Sequence, residues 1–303
     1  MAEVIECVIN ISEGRDPEFL DTLSAVLRGC PESYLLSCSS DRDHNRSVLT
    51  LAGSPCGVVE AAWIACREAV SSLDIRRHHG VHPRIGVVDV VPFVPVRETD
   101  MEICIKSARK LGARIGTGLG VPVYLYGRAA SDPDRADLAR IRKGELPGLA
   151  GRILRDQPDF GPPRIHPSAG ASAVGARDIL IAYNIDLDSR DLVLARKIAR
   201  AVRESGGGIP TVKALGLFLE SRDRVQVSMN LTDYRVAPIR QVFTRVQELA
   251  RAENTDIAQS EIIGHLPRAA LDERDCGFLR LRDFDPGETY IEDCLEKRIN
   301  GKQ

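Results

Sequence analysis

The chain has 303 residues, of which 43% are apolar, and this length and composition suit two globular domains or one large one. Lysine and arginine (41) nearly balance aspartate and glutamate (43), so the net charge of −2 argues against a dedicated nucleic-acid-binding protein. The eight cysteines lack Cys-x-x-Cys spacing, which argues against a zinc ribbon and a thioredoxin-type centre. Such free thiols are typical of a reducing cytoplasm. Since no signal peptide or membrane-spanning run is seen, we expect a cytoplasmic protein without membrane contact.

The first half of the chain predicts alternating strands and helices. Apolar or alternating runs indicate strands, and apolar side chains at helical spacing indicate helices. Asp16 is a predicted N-cap with Pro17 at the first helical position, and Ser54-Pro55 opens the second helix. In chain order the predicted elements are a strand (4–9), a helix (16–28), two strands (34–38 and 47–52), a helix (54–70), a strand (86–94), a helix (100–111) and a strand (121–126).

The second half predicts a similar but shorter series. Its elements are a strand (179–183), a helix (190–203), two strands (212–219 and 224–230), a helix (238–251) and a strand (256–263). This β-α-β-β-α-β order is that of the ferredoxin-like fold, and the first half contains it with an added helix and strand. The sequence therefore predicts an α/β protein, an α+β sandwich, with subdomains 1–177 and 178–303.

A segment rich in proline and glycine, residues 155–175, separates the two predicted halves. Such composition usually indicates a linker. However, a linker has little use for the embedded Arg164 and His166. Clefts between domains are common ligand sites, so a linker and a ligand-binding segment both remain open at this point.

Three of the six histidines lie in one short loop, residues 78–84. His78 and His82 have the i, i+4 spacing of a helical metal site. Gly80 and Pro83 disfavour a helix, and no acidic or cysteine ligand lies among them, so we expect no metal. A lone histidine is more often a cap or a core residue. Here the glycine and proline fix the backbone around His82, and Arg84 adds a permanent cation, so the loop predicts general acid–base chemistry by His82.

Other polar segments are also candidates. Residues 41–47 lie between two predicted strands, where a solvated hairpin turn is the alternative. Residues 10–15 follow the first strand, where they could serve only to begin a helix. The glycines of residues 116–120 precede a strand, unlike those of a dinucleotide fingerprint. The sequence also lacks a Walker-type Gly-Lys-Ser/Thr motif and a Gly-x-Ser-x-Gly elbow.

Six stretches in order along nearly the whole chain carry a resemblance to a known family. They are residues 6–14 (ECVINISEG), 45–48 (NRSV), 80–95 (GVHPRIGVVDVVPFVP), 121–127 (VPVYLYG), 175–177 (GAR) and 227–232 (VSMNLT). Together they resemble the glutamate formiminotransferase family, and the set is far more specific than any single motif. The chain departs from the family at Ser37 and Ser39, where acidic residues are common, and in Ser168-Ala169-Gly170, where an aromatic residue is often found before the glycine.

The resemblance implies transfer of the formimino group from N-formimino-L-glutamate to N5 of tetrahydrofolate, which serves as a co-substrate without a metal. It implies two α/β subdomains with a cleft between them, and a homodimer. We expect no cyclodeaminase domain, since the chain ends at Gln303, and that activity would come from a separate protein. The folate-contacting segment that it implies consists of Gly161, Pro162, Pro163, Arg164, Ile165, His166, Pro167, Ser168, Ala169 and Gly170.

Residue types and loop placement suggest roles within such a site. We expect direct transfer, in which His82 takes a proton from N5 and delivers one to the departing glutamate nitrogen. Asp41 or Asp43 would orient the imidazole or stabilise the cationic amidine. Arg46 and Arg84 would hold substrate carboxylates. The predicted catalytic residues are therefore His82, Asp41 and Arg46, and the predicted substrate-binding residues are Asn10 and Arg84.

Two other functions remain open from the sequence. A 5-formyltetrahydrofolate cyclo-ligase would use the same pocket but consumes ATP, for which no motif is recognised. A non-catalytic folate-binding protein would bind tetrahydrofolate without releasing glutamate. Retention of His82 together with Arg46 and Arg84 argues against the second alternative.

Overall fold

A computed structural model of the protein describes residues 3–97 and 99–301. The chain forms two compact units, residues 1–178 and 179–303. The first contains a six-stranded sheet and the second a four-stranded sheet, which confirms the predicted mixed α/β class. Within the described residues, no helix is both long and apolar enough to cross a bilayer.

The first unit contains more elements than the sequence predicted. They are β1 (Val4–Ile11), α1 (Pro17–Arg28), β2 (Ser33–Asp41), β3 (Arg46–Gly53), α2 (Pro55–Ser72), β4 (Val88–Val96), α3 (Met101–Gly118), β5 (Val123–Gly127), α4 (Leu138–Ile141), α5 (Glu145–Ala150) and β6 (Ser172–Ala176). The strand order is β2-β3-β1-β4-β6-β5. The first four strands pair antiparallel in the ferredoxin-like order, and β6 joins β4 and β5 in parallel.

The helices of this unit begin where their capping residues predict. Asp16 accepts a hydrogen bond from the backbone N–H of Phe19 at 3.0 Å, and Ser54 accepts one from Gly57 at 3.1 Å. Both predicted helix starts are therefore confirmed. Helix α3 continues to Gly118, beyond the predicted end at residue 111. This last part of the helix packs closely against residue 161. Only glycine fits at position 116, since a Cβ there would lie 2.5 Å from the backbone of residue 161.

The segment rich in proline and glycine is not a linker between the halves, so this one of the two alternatives left open is wrong. Its last residues form β6, which lies inside the six-stranded sheet between β4 and β5. A Cβ at Gly175 would lie 2.5 Å from the ring of Tyr126, so close packing within the sheet requires this glycine. The strand was missed because Ser172–Ala176 consists mostly of small residues with weak β-propensity.

The second unit has the predicted ferredoxin-like order. Its elements are β7 (Ile181–Leu187), α6 (Leu192–Val202), β8 (Val212–Leu219), β9 (Arg224–Leu231), α7 (Ile239–Ala252), β10 (Ile257–Ile263), α8 (Pro286–Thr289) and α9 (Ile291–Asn300). The strands are ordered β10-β7-β9-β8, and all three pairs are antiparallel. Tyr183, Val227 and Phe243 are buried in a separate core that includes apolar side chains of α6 and α7. The last two helices were not predicted.

Candidate active site

His82 lies in the irregular segment that leads into β4, and its ring is half-buried. The Nδ1 atom is 2.8 Å from Nη1 of Arg46 and 2.9 Å from the carbonyl oxygen of Pro83. Both hydrogen-bond contacts found within the described residues fall on Nδ1, so Nε2 is the ring nitrogen left for a substrate.

The surroundings of His82 favour its neutral form. Burial lowers the pKa of the imidazole well below the ordinary 6.5, and the guanidinium groups of Arg46 and Arg142 lower it further. A neutral imidazole at pH 7 can both donate and accept a proton, which general acid–base chemistry requires.

Arg46, the first residue of β3, joins several elements of the site. Its Nε donates to Asn10 Oδ1 at 2.9 Å, and its Nη1 donates to Asp89 Oδ2 at 2.9 Å while also contacting His82. Burial lowers the pKa of Arg46 to about 10, which still leaves the side chain cationic at neutral pH. Asn10, Asp89 and His82 therefore engage Nε and Nη1 of the guanidinium, and a role of Arg46 in holding a substrate carboxylate stays a prediction.

Asp89 is the buried carboxylate of the site, and the sequence-based interpretation missed it. The side chain is fully buried in β4, where Oδ1 accepts from the backbone N–H of Ile85 at 2.8 Å. Its Oδ2 accepts from Arg46 and from Arg142, which was also missed. Burial opposes ionisation of Asp89, but Arg142 and Arg46 together hold its pKa below the ordinary value. The available signal was a single charged residue in the apolar run of residues 86–94.

Asp41, a predicted partner of His82, is the last residue of β2, directly before the turn that leads to β3. Its Oδ1 is 2.9 Å from Nδ1 of His44 and accepts backbone N–H groups of Asp43 and His44. The ring of His44 lies 6.1 Å from that of His82, centroid to centroid. Residues 41–47 therefore form a hairpin turn that borders the site. Asp89 is linked to His82 through Arg46, and a role for Asp41 or Asp43 beside His82 stays a prediction.

The other residues of the histidine loop hold its backbone in place. Arg84 donates to the carbonyl oxygens of His78 at 2.9 Å and Gly80 at 3.3 Å. Nε2 of His78 lies 2.6 Å from the carbonyl oxygen of Asn45, whose side chain donates to His79 O. The loop is thus tied to the β2–β3 turn. Within the described parts of the chain, His, Cys, Asp and Glu side chains form no group of three that could hold a metal.

The predicted folate segment, residues 161–170, lies beside the histidine loop in the same unit. Val87 donates to Ala169 O at 2.9 Å, and the Ile75 amide donates to Ser168 O at 2.7 Å. His166 and Gly170 exchange two backbone hydrogen bonds of 3.0 Å, which closes a tight turn. Both segments therefore lie in the first unit.

The comparisons with known proteins agree with the resemblance stated from the sequence. The formiminotransferase domain, N-terminal subdomain, matches residues 4–177, and the formiminotransferase domain matches residues 182–293. Glutamate formimidoyltransferase of Streptococcus pyogenes serotype M1 is 39% identical over 97% of this chain and 99% of its own length. The protein of the same name from Thermoplasma acidophilum is 41% identical over 98% and 99%.

Longer relatives match as well. The formimidoyltransferase-cyclodeaminase of Mus musculus is 40% identical over 89% of this chain and 51% of its own length, so the match spans about half of that protein. Two family matches and two end-to-end relatives thus agree with the order of motifs read from the sequence. The chain belongs to the formiminotransferase family.

Proposed function

We propose that this protein transfers the formimino group of N-formimino-L-glutamate to N5 of tetrahydrofolate and releases glutamate. The observation that carries the proposal is end-to-end similarity, at 39% and 41% identity, to two proteins named glutamate formimidoyltransferase. The site around His82 supports it, because the transfer requires one group that can both accept and donate a proton.

The proposed chemistry is a direct transfer. N5 attacks the amidine carbon, and a new C–N bond forms to give a tetrahedral adduct. His82 takes the proton that leaves N5 and gives a proton to the glutamate nitrogen as the old C–N bond breaks. The half-buried position and lowered pKa of His82 support this role, since the imidazole stays neutral at pH 7. Alignment of two bound substrates contributes further acceleration.

Residues 161–170 are the proposed tetrahydrofolate segment. Its turn is hydrogen-bonded to the residues that follow His82, so a pterin bound there would lie close to the imidazole. Arg164 is exposed and can meet a carboxylate of the folate tail. Arg84 keeps a proposed role in holding a substrate carboxylate, since its two hydrogen bonds to carbonyl oxygens use only part of its five donors. Asn10 would act through Arg46.

A coupled assay tests the proposal. The purified protein, given formiminoglutamate and tetrahydrofolate, should form glutamate and 5-formiminotetrahydrofolate in equal amounts. Neither product should appear when either substrate is omitted. Absence of both products under conditions in which the protein is folded and binds tetrahydrofolate would contradict the proposal and leave a binding protein.

The same preparation separates the cyclo-ligase alternative. That reaction consumes 5-formyltetrahydrofolate together with ATP, so ATP-dependent loss of 5-formyltetrahydrofolate without glutamate release would favour it.

The homodimer implied by the family also stays a prediction. Sedimentation equilibrium should give twice the monomer mass, and a monomer at micromolar concentration would contradict it.

A further inference from the structure

Nδ1 of His82 lies between a hydrogen-bond donor and a hydrogen-bond acceptor. Nη1 of Arg46, at 2.8 Å, can only donate a hydrogen bond, and the carbonyl oxygen of Pro83, at 2.9 Å, can only accept one. A neutral imidazole carries one proton. Nδ1 can therefore satisfy Arg46 with its lone pair or Pro83 with an N–H, but not both at once.

The choice at Nδ1 decides what Nε2 offers to a substrate. When Nδ1 accepts from Arg46, the proton is on Nε2, which then donates. When Nδ1–H donates to Pro83, Nε2 carries a lone pair and is a base. The two forms differ only in which ring nitrogen holds the single proton, so exchange between them through solvent leaves the net charge unchanged.

Arg46 is held in place at several points. Asn10 Oδ1 accepts from Nε at 2.9 Å and Asp89 Oδ2 accepts from Nη1 at 2.9 Å. Asp89 is itself fixed by the Ile85 amide and by Arg142. The side chain of Asp89 is fully buried, and that of Arg46 is only 11% exposed, so water screens this pair little. The position of the guanidinium against Nδ1 thus depends on Asp89.

We propose that Asp89 is a positioning residue that holds Arg46 against Nδ1 and thereby keeps neutral His82 in the tautomer with its proton on Nε2. The part that this tautomer plays in turnover rests on the proposed function. There, Nε2–H is placed to donate to the departing glutamate nitrogen, and Arg46 must leave Nδ1 before Nε2 can act as a base toward N5.

The groups that act on His82 come from several elements. They are Arg46 of β3, Arg142 after α4, and His44 of the β2–β3 turn, while Asp89 of β4 pairs with both arginines. Of these, only Arg46 has a hydrogen-bond contact with the imidazole among those found within the described residues. A change of tautomer on removal of Arg46 is therefore a specific signature, which a general loss of stability would not produce.

The experiment is ¹⁵N NMR of the free protein labelled at histidine, at neutral pH. In a neutral imidazole the nitrogen without a proton resonates far downfield of the protonated one. His82 signals are identified by their loss in His82→Ala. In the unsubstituted protein Nδ1 should be the unprotonated nitrogen. Arg46→Met and Asp89→Asn should each lose the Nε2–H signature and move the proton to Nδ1.

Arg76→Met provides the matched control, because Arg76 is exposed and pairs with Asp74. It removes the same charge and should leave the His82 tautomer unchanged. Should Arg46→Met fail to fold, Asp89→Asn keeps the test decisive. A protonated Nδ1 in the unsubstituted protein, or an unchanged tautomer in the folded variants, would overturn the proposal. Lack of transferase activity would contradict the proposed function but not the tautomer assignment, since the tautomer is measured without substrates.

Discussion

Each unit of this protein contains a buried ionic cluster on its sheet. The Asp89 cluster consists of Asp89, Arg46, Arg142, Asn10 and His82. The Asp186 cluster consists of Asp186, Glu261, Arg222, Arg282, Gln226, Gln259 and Asn184. In both, fully or almost fully buried carboxylates are bound by arginine side chains.

The two clusters differ in the groups that they contain. In the second unit, Arg222 bridges Asp186 and Glu261 at 3.0 Å each, and Gln226 Nε2 donates to Asp186 at 2.8 Å. Its members are carboxylates, amides and guanidinium groups, and they do not include an imidazole. The Asp89 cluster ends on an imidazole with Nε2 left for a substrate. Burial and charge alone therefore do not distinguish the two clusters, whereas contact of the buried ion pair with an imidazole does.

Removing the central carboxylate of each cluster gives the largest expected effect on this comparison. Asp89→Ala leaves Arg46 and Arg142 without their shared carboxylate, which should lower the free energy of unfolding by about 3–5 kcal/mol. Asp186→Ala should lower it by less, because Arg222 keeps its ion pair with Glu261. Only Asp89→Ala should also lower kcat, because only Asp89 acts on His82. Urea unfolding and saturating turnover measured on the same preparations test this. A loss of kcat in Asp186→Ala as steep as in Asp89→Ala would remove the distinction.

A smaller effect is expected at the turn that closes the proposed folate segment. Gly170 has a φ of +76°, and a Cβ there would lie 2.4 Å from the carbonyl oxygen of Ile85. Gly170→Ala should lower the free energy of unfolding by up to about 3 kcal/mol. It should also raise the KM for tetrahydrofolate more than it lowers kcat.

Gly207→Ala in the second unit controls for the backbone conformation of Gly170→Ala. Gly207 has a similar φ of +82°, but nothing lies within 4 Å of an added Cβ. The control should share the cost of the left-handed conformation and keep the KM for tetrahydrofolate. An unchanged KM in Gly170→Ala would separate this turn from folate binding.

The smallest effect concerns a histidine of the second unit. Burial lowers the pKa of His265 to about 4, and its Nδ1 is buried without a partner among the described residues. Between about pH 6.5 and 4 the unfolded chain takes up a proton that the folded chain does not. Stability is therefore complete above pH 6.5 and falls as the pH decreases, by about 2 kcal/mol at pH 5.

His265→Leu should remove this part of the pH dependence and leave turnover unchanged. Urea unfolding at pH 7 and pH 5 measures it, with exposed His79→Leu as the matched control. If His265→Leu retains the full loss of stability at pH 5, the desolvation of His265 does not cause it. If His265→Leu also changed the pH dependence of turnover on the acidic side, proton transfer would not be confined to His82.

Regular patterns explain which parts of the fold were predictable. The strands β8 and β9 and the helix α1 follow their local sequence, since apolar periodicity and a proline after the capping residue determine them locally. The strand β6 depends instead on close packing of small residues against Tyr126, which the local pattern does not reveal. A linker therefore stayed open as one interpretation of residues 155–175, although their last residues form a strand inside the sheet.

The site divides in the same way. His82, Arg46 and Asn10 were singled out from loop chemistry and the family resemblance, and the structure joins them by hydrogen bonds. Asp89 and Arg142 meet across 53 residues of sequence, and their partnership depends on the tertiary fold. Asp41 or Asp43 was predicted beside His82 because the acidic residues common in the family are replaced by Ser37 and Ser39 in this chain. The buried carboxylate that pairs with Arg46 comes from β4.

The most direct test of the account is the turnover of His82→Ala compared with His79→Ala, an exposed histidine of the same loop. Glutamate release from formiminoglutamate is followed with saturating tetrahydrofolate, and tetrahydrofolate affinity and thermal unfolding are measured on the same samples. His82→Ala should retain folate affinity and lose about 10²–10⁴-fold in kcat, while His79→Ala stays near the unsubstituted protein. Near-normal turnover in folded His82→Ala would contradict the account.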